Sequence, residues 1–168
     1  MILYVIALIS GLAVLGLDQL TKYLIVKNFA LGEGTDFIKG LIDIQYIHNQ
    51  GAAWGIFSGK TWLLIGFTVI VMGVCAVLLI KTCNGNKLML ASMTLVLSGG
   101  VGNLIDRVFR DGNVVDFLHF EFWPTFPIFN VADCAIVVGA GFLILYFIME
   151  TVKEIKEKKE KVPENGED

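Results

Sequence analysis

Two aspartates stand out in an otherwise apolar chain. Asp116 follows Val114 and Val115 and precedes Phe117; Asp133 closes the run Phe129-Asn130-Val131-Ala132. A carboxylate beside hydrocarbon is expensive, so acids in such places tend to mark function. Two of them, one protonated and one ionised, can activate a water for peptide hydrolysis. The residues therefore point to an acid-pair peptidase working at a membrane.

Two more aspartates, Asp18 and Asp106, also fall at span ends. Asp18 has Lys22 four residues on, the spacing of a helical ion pair, and Asp106 is followed by Arg107. An aspartate tied to a cation makes a poor shared-proton partner. Asp116 and Asp133 have no basic neighbour in sequence. Asn130 and Asp133 also suit the N-cap and N3 positions of a helix, and capping is compatible with catalysis. The helix dipole favours a first-turn anion, which inclines Asp133 to the ionised role and Asp116 to the protonated one. Asn103 and Arg107 share a helical face, and Arg107 serves as an interfacial anchor, as a hydrogen-bonding strut, or as a contact to lipid phosphate or substrate carbonyl.

Other residue types carry less. His48 and His119 lack a third convergent ligand, so no metal site is expected. Ser58 with Lys60 could form a dyad, and Ser98 adjoins two glycines, a pattern more often used for helix packing. Cys75, Cys83 and Cys134 have neither metal-ligand nor redox spacing. Cys134, next to Asp133, reads as a small buried residue.

The elements that must place these residues follow from composition. Of 168 residues 55% are hydrophobic, and mean hydropathy is +0.71. The net charge of −3 leaves no basic footprint for nucleic acid. Four charge-free stretches run from Met1 to Leu17, Thr61 to Ile80, Leu88 to Ile105 and Cys134 to Met149. As helices they make an all-α membrane protein of four spans, about 1–25, 61–80, 88–106 and 131–150. The first lacks a basic leader region and a clear cleavage site, so it reads as a retained span. Residues 28–58, with turn glycines and partial alternation from Leu41 to Ile47, predict a small β element. Lysines crowd the 81–87 loop and the 151–168 tail, which puts both termini in the cytoplasm and the β element outside. The tail reads as a solvated helix ended by Pro163, with residues 164–168 disordered.

Five ordered motifs now stand together: Asp18-Gln19-Leu20-Thr21-Lys22, Asn49-Gln50-Gly51-Ala52-Ala53-Trp54-Gly55, Gly99-Gly100-Val101-Gly102-Asn103-Leu104-Ile105-Asp106-Arg107, Val114-Val115-Asp116-Phe117 and Phe129-Asn130-Val131-Ala132-Asp133. Together they resemble the lipoprotein signal peptidases, the bacterial signal peptidase II family. The resemblance implies four transmembrane helices, an extracytoplasmic β-cradle and a further outer-loop helix. It implies an enzyme of the bacterial cytoplasmic membrane that cleaves prolipoproteins just before a diacylglyceryl-modified cysteine, without cofactor or metal. Asp116 and Asp133 then match the catalytic pair. Asp18, Lys22, Asn49, Gly51, Asn103, Asp106, Arg107, Asn130 and Ala132 match substrate-binding or supporting positions. Implied partners are diacylglyceryl signal peptides, membrane lipids and inhibitors of the globomycin type. The rival readings are a small proton-coupled transporter and a non-catalytic scaffold. Against the transporter, four short spans leave little room for inverted repeats.

Overall fold

The computed structural model describes residues 1–52, 56–82 and 86–161. Four long helices, α1 (Ile2–Asn28), α2 (Thr61–Thr82), α3 (Lys87–Phe109) and α4 (Val131–Lys161), are each long and apolar enough to cross a membrane. Between them lie β1 (Gly34–Ile38), β2 (Ile42–Asn49) and β3 (Val114–Phe120). α4 runs on through the charged segment after Met149, as expected of a solvated extension. Cys83 and the last seven residues, including Pro163, lie outside the described residues.

α3 is the central helix. Half of its apolar window is buried, against 6–17% for the other three, and it packs against α1, α2 and α4. The outward faces of α1, α2 and α4 are large apolar side chains left exposed, as a lipid-facing surface requires. Apolar tails do not drive helices together in a bilayer, so close contact rests on small residues and hydrogen bonds. Ser92 Oγ accordingly donates to Gly139 O at 2.7 Å, and Ser98 Oγ donates back to Thr94 O at 2.6 Å. That second bond lies within α3; Ser98 meets α1 at Gly11, where a Cβ would lie 2.9 Å from its Oγ.

Gly102 lets α3 approach both α1 and α4 closely. A Cβ there would lie 2.6 Å from Asp18 Oδ2 and 3.2 Å from the Ala132 Cβ. Asp18 cannot withdraw, because it is fully buried and paired with Lys22. Gly102→Ala is therefore expected to lower stability by about 1–3 kcal/mol through overpacking. Thermal unfolding in detergent checks this; a midpoint equal to the parent's would show that α1 and α4 can part without penalty.

The sheet is antiparallel with strand order β1-β2-β3. Its third strand lies outside the 28–58 segment in which the β element was expected. Val114–Phe120 is short, and its pairing with β2 spans some seventy residues, which no local pattern records. The chain turns from α3 into it through Asp111 (φ 51°) and Gly112 (φ 84°), where the left-handed backbone suits glycine. Val115 and Phe117 pack with Tyr46 against Ile25 of α1, which ties the sheet to the bundle. The further outer-loop helix is not seen among the described residues between β2 and α2: residues 56–59 form a turn, and Ala53, Trp54 and Gly55 lie outside them.

One irregularity decides what the sheet presents. β2 pairs Ile44 with Leu118 but Ile47 with Asp116 and Asn49 with Val114, so a bulge adds one residue to β2. Side chains alternate faces with a period of two, and a one-residue shift exchanges the faces. The bulge therefore puts Asn49 on the same face as Asp116.

Candidate active site

The site forms where α1, the C-terminal half of α3, β3 and the first turn of α4 meet. Asn130 and Asp133 close the start of α4 reciprocally: Asp133 N donates to Asn130 Oδ1 at 3.0 Å, and Asn130 N donates to Asp133 Oδ2 at 3.1 Å. A third donor of that turn, Ala132 N, reaches Asp18 Oδ1 of α1 at 2.9 Å. Two helices thus share one cap, and Asp133 is held at the mouth of the turn.

Three asparagines aim the two acids. Asn49 Nδ2 donates to Asp116 Oδ2 at 2.8 Å, and Asn130 Nδ2 donates to Asp116 Oδ1 at 2.6 Å. Asn103 Nδ2 donates to Asp133 Oδ1 at 2.7 Å. Asn103 Oδ1 in turn accepts from Asn130 Nδ2 at 3.1 Å and from Lys22 Nζ at 3.0 Å. Because Lys22 can only donate, it settles which end of the Asn103 amide faces Asp133. Asn130 bonds both acids, and both line one cavity of about 540 Å³. Asn49, Gly51, Asn103 and Arg107 also line it, with the apolar Ile136, Val137 and Val138 of α4.

Behind the asparagines lies a fully buried ion cluster. Lys22 Nζ sits 3.0 Å from Asp18 Oδ2 and 3.1 Å from Asp106 Oδ2. Asp106 also pairs with Arg110 at 3.3 Å and accepts from Val115 N at 3.1 Å. The partner expected from sequence, Arg107, does not pair with Asp106. Adjacent helical residues point about 100° apart, whereas Arg110 is one turn on, and Lys22 arrives from another helix. Arg107 Nη2 instead donates to Gly51 O at 3.0 Å and holds the loop after β2 over the cavity. The strut reading of Arg107 describes this contact.

Asp116 is almost wholly enclosed. Burial raises its carboxyl, the Asp133 charge adds to that, and the bonds from Asn49 and Asn130 with the Lys22 charge pull the other way; the balance leaves it pushed up to about 7. Cys134 lines the cavity and is exposed, contrary to the expectation of a buried residue. Sequence reasoning missed Gln19, whose Nε2 donates to Asp18 Oδ2 at 3.0 Å and Gly102 O at 3.2 Å, and Arg110. The i,i+4 spacing of Arg110 from Asp106 was the available signal. His48 and His119 stay outside the acid cluster: His48 Nε2 bonds the Tyr46 hydroxyl at 2.7 Å, and His119 lies 3.6 Å from Asp43.

Four apolar helices, a small sheet and a cavity holding two polar-wired carboxylates define a multi-pass membrane enzyme. Residues 10–149 match the sequence profile described as Signal peptidase (SPase) II. The chain belongs to the signal peptidase II family, and is a membrane protease. It is 45% identical over 158 residues to the lipoprotein signal peptidase of Enterococcus faecalis (strain ATCC 700802 / V583), covering 94% of this chain and 96% of that protein. Two solved bacterial membrane enzymes share the fold. One, solved in meso at 2.3 Å, superposes with a TM-score of 0.82 at 31% identity over 96% of this chain and 93% of that one. The other, at 1.9 Å, gives 0.77 at 34% identity over 84% and 91%.

Proposed function

We propose that this protein removes the signal peptide from diacylglyceryl-modified prolipoproteins, cutting just before the lipidated cysteine, and that Asp116 and Asp133 are its catalytic pair. The observation that carries the reading is Asn130, which bonds both acids at the wall of one cavity. Asp133, bonded by Asn103 and by the Asn130 N–H, is the ionised base that takes a proton from water. Asp116, enclosed and with its carboxyl pushed up to about 7, donates to the scissile carbonyl oxygen. The leaving amine takes its proton afterwards. No covalent intermediate forms. The apolar side of the cavity, toward Val137 and Val138, accepts lipid and the end of the signal peptide. Asp18, Lys22 and Asp106 act as supports, as do Ala132 and the loop at Gly51. The lysines of the 81–87 loop and of the C-terminal tail favour a reading with both termini in the cytoplasm and the acid pair near the outer face.

Purified protein with a lipidated prolipoprotein, read by gel shift with and without a globomycin-type cyclic peptide, tests the activity. Cleavage blocked by the inhibitor supports the reading; an intact substrate ends it. The rate carries a pH signature. A donor at about 7 loses its proton as pH rises, so kcat/KM is expected to fall through an alkaline limb near that value. Asn49 stabilises the ionised form of Asp116, so Asn49→Ala must raise the carboxyl and move that limb to higher pH. The pair titrates as a unit, so the limb reports the dyad. A limb that stays put or moves to lower pH excludes Asp116 as the donor.

A further inference from the structure

A second cleft, of about 520 Å³, adjoins the catalytic cavity. Its lining comes entirely from outside the four helices: β2 and the loop after it, the end of β3, and the 121–130 segment. Gln45, His48, Gln50, Ser58 and His119 give it a polar wall, and no lysine, arginine, aspartate or glutamate is among the described residues that line it. It shares Asn49, Ala52, Phe126, Pro127 and Ile128 with the catalytic cavity. Asn49 is also the residue that bonds Asp116. The acid pair thus lies at a border, with an apolar cavity against α4 on one side and a polar cleft beyond the span ends on the other.

We propose that this cleft binds the polypeptide immediately following the lipidated cysteine, the part of the substrate that becomes the mature protein. The proposal rests on the reading of Asp116 and Asp133 as the cleavage centre. A substrate cut at the membrane surface has two unlike halves. Its signal peptide and acyl chains match the apolar cavity, whereas the chain after the cut must leave toward water with its backbone amides satisfied. Gln45, Gln50, Ser58 and the two histidines offer donors and acceptors for such a backbone. The volume falls in the range of ligand-binding clefts. With no fixed charge among the described residues that line it, the cleft selects by size and hydrogen bonding. The residues just after the cysteine are therefore read for bulk.

Photo-crosslinking tests the placement. Lipidated substrates carry a benzophenone side chain either two residues after the cysteine or three residues before the cut, and are bound to the full chain bearing Asp116→Asn. The later probe is expected to label peptides from residues 42–50 and 118–128, and the earlier probe α4 near residues 136–138. The proposal is overturned if the later probe labels α4 or only lipid. In a second arm, Gln45→Trp narrows the cleft from its strand. The ratio of KM for a substrate with Trp after the cysteine to KM for one with Gly should rise by about tenfold. An unchanged ratio in a folded variant also overturns the proposal. Failure of the cleavage-centre reading is distinguishable, since it would show as full cleavage by the Asp116→Asn chain whichever peptide is labelled.

Discussion

Asp133→Asn and Asp116→Asn are each expected to lower kcat/KM by about 10²–10⁴-fold or more, the range a general acid or base supplies, while leaving the fold largely intact. The size of the loss follows from the roles. An amide at 133 cannot take a proton from water, and an amide at 116 cannot give one to the carbonyl oxygen. The survival of the fold follows from the wiring. Asp133 accepts from Asn103 Nδ2 on one oxygen and from the Asn130 N–H on the other. Asp116 accepts from Asn49 and from Asn130. Asparagine keeps one acceptor in each place and sets one NH₂ against a donor, a penalty of about 1–3 kcal/mol. The measurement is cleavage of a lipidated prolipoprotein beside a melting curve in the same detergent. Either variant retaining cleavage within tenfold of the parent, while folded, removes the acid-pair mechanism. Both variants unfolding would contradict the wiring just described.

The largest stability effect belongs to Lys22. Its ammonium is fully buried and bonds Asp18, Asp106 and Asn103 at once. Breaking a buried ion cluster by removing one partner costs about 3–5 kcal/mol, because the charges left behind stay desolvated. Lys22→Met is therefore expected to bring a large fall in the melting midpoint. The residual folded fraction should also lose activity, since Asn103 loses the donor that fixes its amide toward Asp133. It should further raise the Asp116 carboxyl, because the Lys22 charge acts to lower it. Lys22→Met combined with Asp106→Asn removes one stranded charge and should recover part of the midpoint. A single variant that melts with the parent, or a double variant less stable than the single, contradicts a cluster held by its charges.

The chain order made much of this legible. Charge-free runs of span length are a short-range property, and the four helices fall where those runs do. The Asn130–Asp133 cap is likewise local, needing only a spacing of three, and the Asp18–Lys22 pair only a spacing of four. Arg107 beside Asp106 misled, because adjacency in a helix is not proximity of side chains. Cys134 misled because burial depends on which face of α4 the other helices cover, a matter of tertiary packing.

By itself the sequence determined the four spans, the capped start of the last helix and the residue types able to do acid–base chemistry, since hydropathy and capping act within a turn or two of chain. Only the tertiary structure decided how they meet. β3 joins the sheet across some seventy residues, a single bulge in β2 turns Asn49 toward Asp116, and Gly102 lets α1 and α4 close on Lys22. Those choices depend on which distant surfaces bury one another, and a carboxylate acquires its chemistry from that burial.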